Sequence, residues 1–272
     1  MIAPSSSAKP ELTTRTAYQK LCFISSGVEA AEEALSAFTE RFGNVSLQNA
    51  DAVVALGGDG LMLETLRKAM DCNTPVYGMN FGSQGFLMNS PSLPQRLSAH
   101  LTHAQLTVIY PLKVDVLDVN GKLHSALAIN EASLLRASPQ AAKIAIYIDH
   151  KLRMKELNCD GIMLSTAAGS TAYNLSARGP ILPISSPLLA LTPVSPFRPR
   201  HWSGAILPSS ANVKIVVLDS QKRPVNAAAD NIEFQNIAEI TITEDRNRPI
   251  KMLFDPGHSL EERILREQFY TG

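Results

Sequence analysis

The sequence predicts two parts: an N-terminal α/β domain with a Rossmann-like parallel sheet, then a β-rich, sandwich-like domain. Three observations carry this reading. Strand-length apolar runs alternate with helical patterns up to about residue 105, the mark of βαβ units. Two glycine-rich loops, Gly57-Gly58-Asp59-Gly60 and Asn80-Phe81-Gly82-Ser83-Gln84-Gly85, each follow such a run. From residue 107 the pattern turns into short alternating strands separated by turn residues.

Taken in order, residues 1–16 are rich in Ser, Thr, Ala and Pro and lack the apolar stretch of a signal peptide, so a loose tail is expected. Residues 20–25 read as a strand, and 28–42 as a helix closed by Gly43. Residues 52–56, Ala-Val-Val-Ala-Leu, read as a buried strand running into the first glycine loop. A helix is expected over 61–70, a strand over 75–79 and a helix over 93–101. In the second part, 114–119 alternates, turns at Asn120-Gly121 and returns through 123–129, a hairpin signal. Further strands are expected at 143–148, 162–165, 214–218 and 239–243. Residues 259–269 read as a helix, with Ser259 and Glu262 spaced as a capping box.

Composition narrows the function classes. The 272 residues are 45% apolar and 18% charged, which fits a packed globular chain. Net charge is zero, so no global field draws the chain to nucleic acid or an anionic membrane. Cys22, Cys72 and Cys159 are widely spaced, with no CxxC; a disulfide framework or zinc site is not expected, and a reducing cytoplasm is. The long uncharged stretch 179–197 holds five prolines, too many for a membrane helix.

A strand that ends in Gly57-Gly58-Asp59-Gly60 and opens a helix gathers backbone N–H groups into an anion site suited to phosphate. Asp59 would repel a bare phosphate, so its presence points to a metal partner or a general base. A tight turn with a capping aspartate is an equal reading of these four residues. Both glycine loops follow strands and should share the carboxyl edge of the sheet, where α/β proteins bind ligands. The run 160–176 is dense in hydroxyls, Gly and Ala, which suits ribose and phosphate oxygens or an ordinary helix-capping loop. Asn130-Glu131 ends an expected strand and offers an amide and an acid. No GxxxxGK[ST], GxGxxG or GxSxG is present, which removes the P-loop, standard dinucleotide and serine-hydrolase readings. His100 and His103, three apart, read as a solvated helix face.

The order of these motifs resembles the NAD kinase family. Gly57-Gly58-Asp59-Gly60 comes first, then Asn80…Gly82…Gly85-Phe86-Leu87 and Asn130-Glu131. Asp160-Gly161…Ser165-Thr166…Gly169-Ser170-Thr171-Ala172-Tyr173 follows, with Gly179-Pro180-Ile181-Leu182-Pro183 after it. The likeness runs from about Lys20 to the last helix and is greatest to bacterial members. It implies phosphorylation of the adenosine-ribose 2′-hydroxyl of NAD, from ATP or polyphosphate, to give NADP. It implies Mg²⁺ or another divalent ion, carried mainly by phosphates and not by a protein cage.

The resemblance also assigns residues. Asp59 matches the general base, with Gly60 and Phe86 beside the nucleotide. Asn130 and Glu131 match the pair that holds the dinucleotide. Asp160 matches an acid at the nicotinamide end, often supplied by a neighbouring subunit. Ala168 and the run Thr171, Ala172, Tyr173, Asn174, Leu175 and Ser176 match the loop around adenosine and ribose. Phe81 and Asn158 stand at variable positions near the ligand, and Asn158 and Asn231 are further candidate binding residues. Phe81 departs from a small polar or basic residue, Ala167 from a proline and Asp230-Asn231 from Asp-Gly. A homodimer or homotetramer is implied, with the C-terminal segment folded back on the first domain. The expected division is therefore 17–105 with about 255–272, and 106–254 as the NAD-binding domain. Two rivals share features: a lipid or sugar-phosphate kinase with the Gly-Gly-Asp-Gly loop, and a non-catalytic NAD(P)-binding sensor.

Overall fold

The computed structural model describes residues 18–82, 85–200, 202–257 and 260–269. The expected tail at 1–16, Ser83 and Gln84 of the second loop, and Ser259 of the expected capping box lie outside these residues.

The first part runs β1 (Leu21–Ser25), α1 (Glu29–Phe42), β2 (Ala52–Gly57), α2 (Asp59–Asp71), β3 (Val76–Asn80), α3 (Pro94–His103) and β4 (Gln105–Ile109). Every residue of β2 is buried, as a central strand covered on both faces requires. Helix α1 buries Ala31 and Phe38, and Phe38 stacks on Phe23 of β1 at 5.5 Å. Helix α2 buries Met62, Thr65, Leu66, Ala69 and Met70, an i, i+3, i+4 stripe against the sheet. It starts at Asp59, two residues before the expected start at 61, so Asp59 lies within the first helical turn.

The second part contains β5 (Leu112–Asp118), β6 (Leu123–Ala128), β7 (Glu131–Arg136), β8 (Ala142–Ile148), β9 (Lys151–Cys159) and β10 (Gly161–Ser165). The short helix α4 (Tyr173–Ser176) follows, then β11 (Leu188–Val194), β12 (Ala205–Pro208), β13 (Val213–Val217), β14 (Val225–Ala229), β15 (Ile232–Phe234) and β16 (Ile237–Glu244). Two six-stranded antiparallel sheets result, β6-β5-β16-β13-β8-β9 and β12-β11-β10-β7-β14-β15. They pack face to face over Leu112, Val114, Ile144, Ile146, Ile162, Leu164, Leu191 and Ile215, all buried. The expected hairpin closes at Gly121, whose φ is 82°. Strand β11 arises within the proline-rich stretch; its Pro193 lies beyond the last residue that pairs with β12.

The chain then returns to the first part with β17 (Ile250–Phe254) and α5 (Leu260–Phe269). The first sheet has the order β1-β2-β3-β17-β4, with β17 parallel to β3 and antiparallel to β4. The sheet is therefore mixed at its edge, and β4 and β17 belong to it across the division expected at 105 and 254. Among the described residues no helix is long and apolar enough to cross a membrane.

Candidate active site

The carboxyl edge of the first sheet brings the two glycine loops together. Phe81 N donates to Gly57 O at 2.8 Å. Gly82 packs beside Gly58; a Cβ built on it would lie 3.5 Å from the Gly58 Cα. Asp59 is held from the second loop: Phe86 N donates to Oδ2 and Leu87 N to Oδ1, each at 2.8 Å. Both oxygens are thus fixed by backbone donors, a strong arrangement for a carboxylate. The loop is braced in turn by the last helix, where Arg263 Nη1 donates to Gly85 O and Phe86 O at 3.0 Å each. Gly60, one residue on, faces open space.

Asn130 and Glu131 form the turn from β6 into β7. Thr166, just past β10, locks this turn: its N donates to Asn130 O at 2.9 Å and its Oγ1 to Ile129 O at 2.8 Å. Gly169 N then donates to Thr166 Oγ1 at 3.0 Å. A Cβ on Gly169 would overlap the Asn130 carbonyl, so only glycine fits where the 166–172 turn crosses Asn130. The Glu131 carboxyl is pushed up to about 7, first by burial and then by the charge of Asp230. Its Oε2 is buried with no hydrogen-bond partner among the described residues. An orphaned buried carboxylate oxygen is costly unless a ligand hydroxyl or amide meets it.

A cavity of about 240 Å³ joins these parts, lined by Asp59, Leu63, Phe86, Leu87, Asn130, Ala168, Thr171 and Ala172. Six of these are site residues expected from the sequence, drawn from four separate segments; Leu87 belongs to the second loop's motif without an assigned role, and Leu63 is the addition. Other sequence-chosen residues are placed differently. Asn174 is fully buried, its amide donating to Ser170 O and Pro180 O and accepting from Thr192 Oγ1 at 2.6 Å. Its side chain is thereby committed to holding the loop, not free for a nucleotide. Tyr173, Leu175 and Ser176 lie on α4, outside the lining, with Tyr173 and Ser176 exposed.

Asp160 and Asn158 are at the opposite end of β10 from Ser165, roughly 17 Å away at strand rise. There Asp160 Oδ1 accepts from Arg136 Nε at 2.6 Å, and Asn158 Nδ2 donates to Glu156 Oε1 at 2.9 Å. Asn231 turns its Oδ1 to Arg67 Nη1 at 2.7 Å. Phe81 packs against the apolar cluster of β1, α1 and α3, which explains an aromatic there. Ala167 has φ −60°, the value a proline ring would impose, so the departure from proline leaves the local backbone unchanged.

In the sequence Asp230 stands out only as a departure from Asp-Gly, and its φ of 50° is the turn conformation Asp tolerates. Arg67 and Arg263 carry no local signal, since their partners are far away in sequence.

Residues 8–104 match the model for the ATP-NAD kinase N-terminal domain, and residues 129–246 that for the ATP-NAD kinase C-terminal domain. The chain is 51% identical over 253 residues to an NAD kinase of Hyphomonas neptunium, covering 92% of this chain and 98% of that one. It is 53% identical over 253 residues to an NAD kinase of Caulobacter vibrioides, covering 92% and 96%. Among solved structures, yeast NADH kinase complexed with NADH superposes with TM-score 0.74 at 22% identity, over 94% of this chain and 88% of that one. An NAD kinase from Archaeoglobus fulgidus in complex with ATP superposes with TM-score 0.70 at 22% identity, over 91% and 96%. These two likenesses speak to the fold.

Proposed function

The chain belongs to the NAD kinase family, and we infer from this that it transfers a phosphoryl group from ATP to the 2′-hydroxyl of the adenosine ribose of NAD, giving NADP. The observation that carries the reading is Asp59: an oriented carboxylate at the head of α2, opening onto one cavity with Asn130, Ala168 and Thr171. A ribose hydroxyl is a weak nucleophile. A carboxylate that accepts its proton as the oxygen attacks phosphorus contributes about 10²–10⁴-fold. The N–H groups of Phe86 and Leu87 fix the orientation of that carboxylate and leave each oxygen a further lone pair for the proton. The amide of Asn130 and the orphaned oxygen of Glu131 suit the adenine edge and ribose hydroxyls. Thr171 and Ala172 line the same cavity and are our candidates for contacts to the sugar.

We read the divalent ion as Mg²⁺ that arrives on the phosphates of ATP, where it would neutralise oxygen charge. Polyphosphate is a second donor of the same chemistry. We place the protein in the cytoplasm and assign it a homodimer or homotetramer in which Asp160 of one chain meets the nicotinamide end of NAD bound to another. The test is direct: incubate the protein with NAD, Mg²⁺ and either ATP or polyphosphate, and assay NADP. Formation of NADP is expected with ATP. NAD binding without NADP would overturn the catalytic reading in favour of a sensor, and phosphorylation of a lipid or sugar phosphate instead would overturn the substrate.

A further inference from the structure

Asp230 makes an unusual set of contacts for a turn residue. Its side chain is 5% exposed. Oδ2 accepts from Ile129 N at 2.7 Å, and Oδ1 from Asn130 N at 2.9 Å and Glu131 N at 3.2 Å. Three consecutive backbone donors thus converge on one carboxylate, the concave arrangement that elsewhere binds an external anion. The charge is met by Arg67, whose Nη2 donates to Oδ2 at 2.6 Å while Nη1 reaches Asn231 Oδ1 at 2.7 Å. Arg67 lies on α2, eight residues after Asp59, or about 12 Å along the same helix. Its fork therefore ties the helix headed by Asp59 to the turn that presents Asn130 and Glu131.

A purely architectural role accounts poorly for these contacts. Strand β14 is already paired with β7 through five residues, from Val225 opposite Arg136 to Ala229 opposite Ala132. Asp230 N continues that ladder to Glu131 O at 3.0 Å without help from the side chain. The carboxylate acts beyond the last paired residues, on the backbone of the binding turn and the first residue of β7.

We propose that Arg67 and Asp230 are positioning residues for phosphoryl transfer, locking the Asp59 helix to the Asn130-Glu131 turn so that the phosphate end and the nucleotide end of the site keep one register. This rests on the NAD kinase reading of the cavity. Lysine cannot replace Arg67, because a single ammonium does not span Asp230 and Asn231 with the geometry of a planar fork.

The test reads NAD binding by calorimetry and turnover in the same samples, with Arg67→Lys, Arg67→Gln, Asp230→Asn and Asn130→Ala, and with Arg67→Gln combined with Asn130→Ala. Circular dichroism and a cooperative melt certify each variant as folded, and the two Arg67 variants decide the matter if Asp230→Asn does not fold. We expect Arg67→Lys and Arg67→Gln to weaken NAD binding about tenfold or more, with KM for ATP little changed. The double variant should bind NAD no worse than Asn130→Ala alone, because the clasp acts through that turn. A folded Arg67→Gln protein that binds NAD within twofold of the unmodified chain would overturn the proposal, as would losses that simply add in the double variant. If the variants show this coupling in NAD binding while the unmodified chain makes no NADP, the activity is overturned and the clasp upheld.

Discussion

At the scale of single residues, Asp59 and Glu131 have opposite tasks. Asp59 sits in the first turn of α2 with both oxygens held by backbone donors. Asp59→Asn puts an NH₂ group against one of those donors and removes the base. We expect kcat to fall at least about 10²-fold, followed as NADP formation at saturating NAD and ATP. Near-normal turnover would remove Asp59 from the chemistry. Glu131 is half-buried beside Asp230, whose charge Arg67 meets, and its carboxyl is raised from 4.5 to about 7. The folded chain therefore holds a proton there that the unfolded chain gives up. Its contribution to stability is full below pH 4.5 and is lost as pH rises to about 7. Melting temperatures between pH 5 and pH 8 should show this decline in the native chain and less of it in Glu131→Gln. Equal pH dependence in the two would show that Glu131 is ionised across the range.

At the scale of elements, the site depends on the tight crossing of the 166–172 turn over Asn130. Gly169→Ala pushes a methyl group into the Asn130 carbonyl, and the backbone must move. We expect a loss of roughly 1–3 kcal/mol in stability by denaturant unfolding, together with weaker NAD binding. An alanine variant that matches glycine in both would mean the turn yields freely. The sequence showed the elements whose signal is local. Strand β2 is a solid apolar run, the β5–β6 hairpin has Asn-Gly at its tip, and α1 ends at Gly43. It hid those that owe their form to neighbours. Strand β9 alternates charged and apolar residues weakly, β14 is Val-Asn-Ala-Ala-Ala, and β11 is masked by its flanking prolines. The site follows the same division. Asp59, Asn130 and Thr171 announce themselves by motif. Arg67 and Asp230 meet across 163 positions, and no local pattern encodes that contact.

At the scale of the whole molecule, one chain leaves part of the expected site unassembled. Asp160 and Asn158 stand at the far end of β10 from the cavity, beside exposed Leu135 and Phe197. We expect light scattering to give a mass above that of one 29.5 kDa chain, with activity falling on dilution and restored by NAD. Asp160→Ala should weaken NAD binding despite its distance from Asp59. A fully active single chain would confine the site to one subunit. The sheet order carries a consequence for how the protein is made. Strand β17 lies between β3 and β4, although it leaves the ribosome about 140 residues after β4. At about 5–20 residues per second, β3 and β4 wait on the order of 10 s with unpaired edges before their shared neighbour is synthesised. During that interval the growing chain exposes sheet edges open to wrong pairing, which makes this stretch of translation the period when a chaperone matters most.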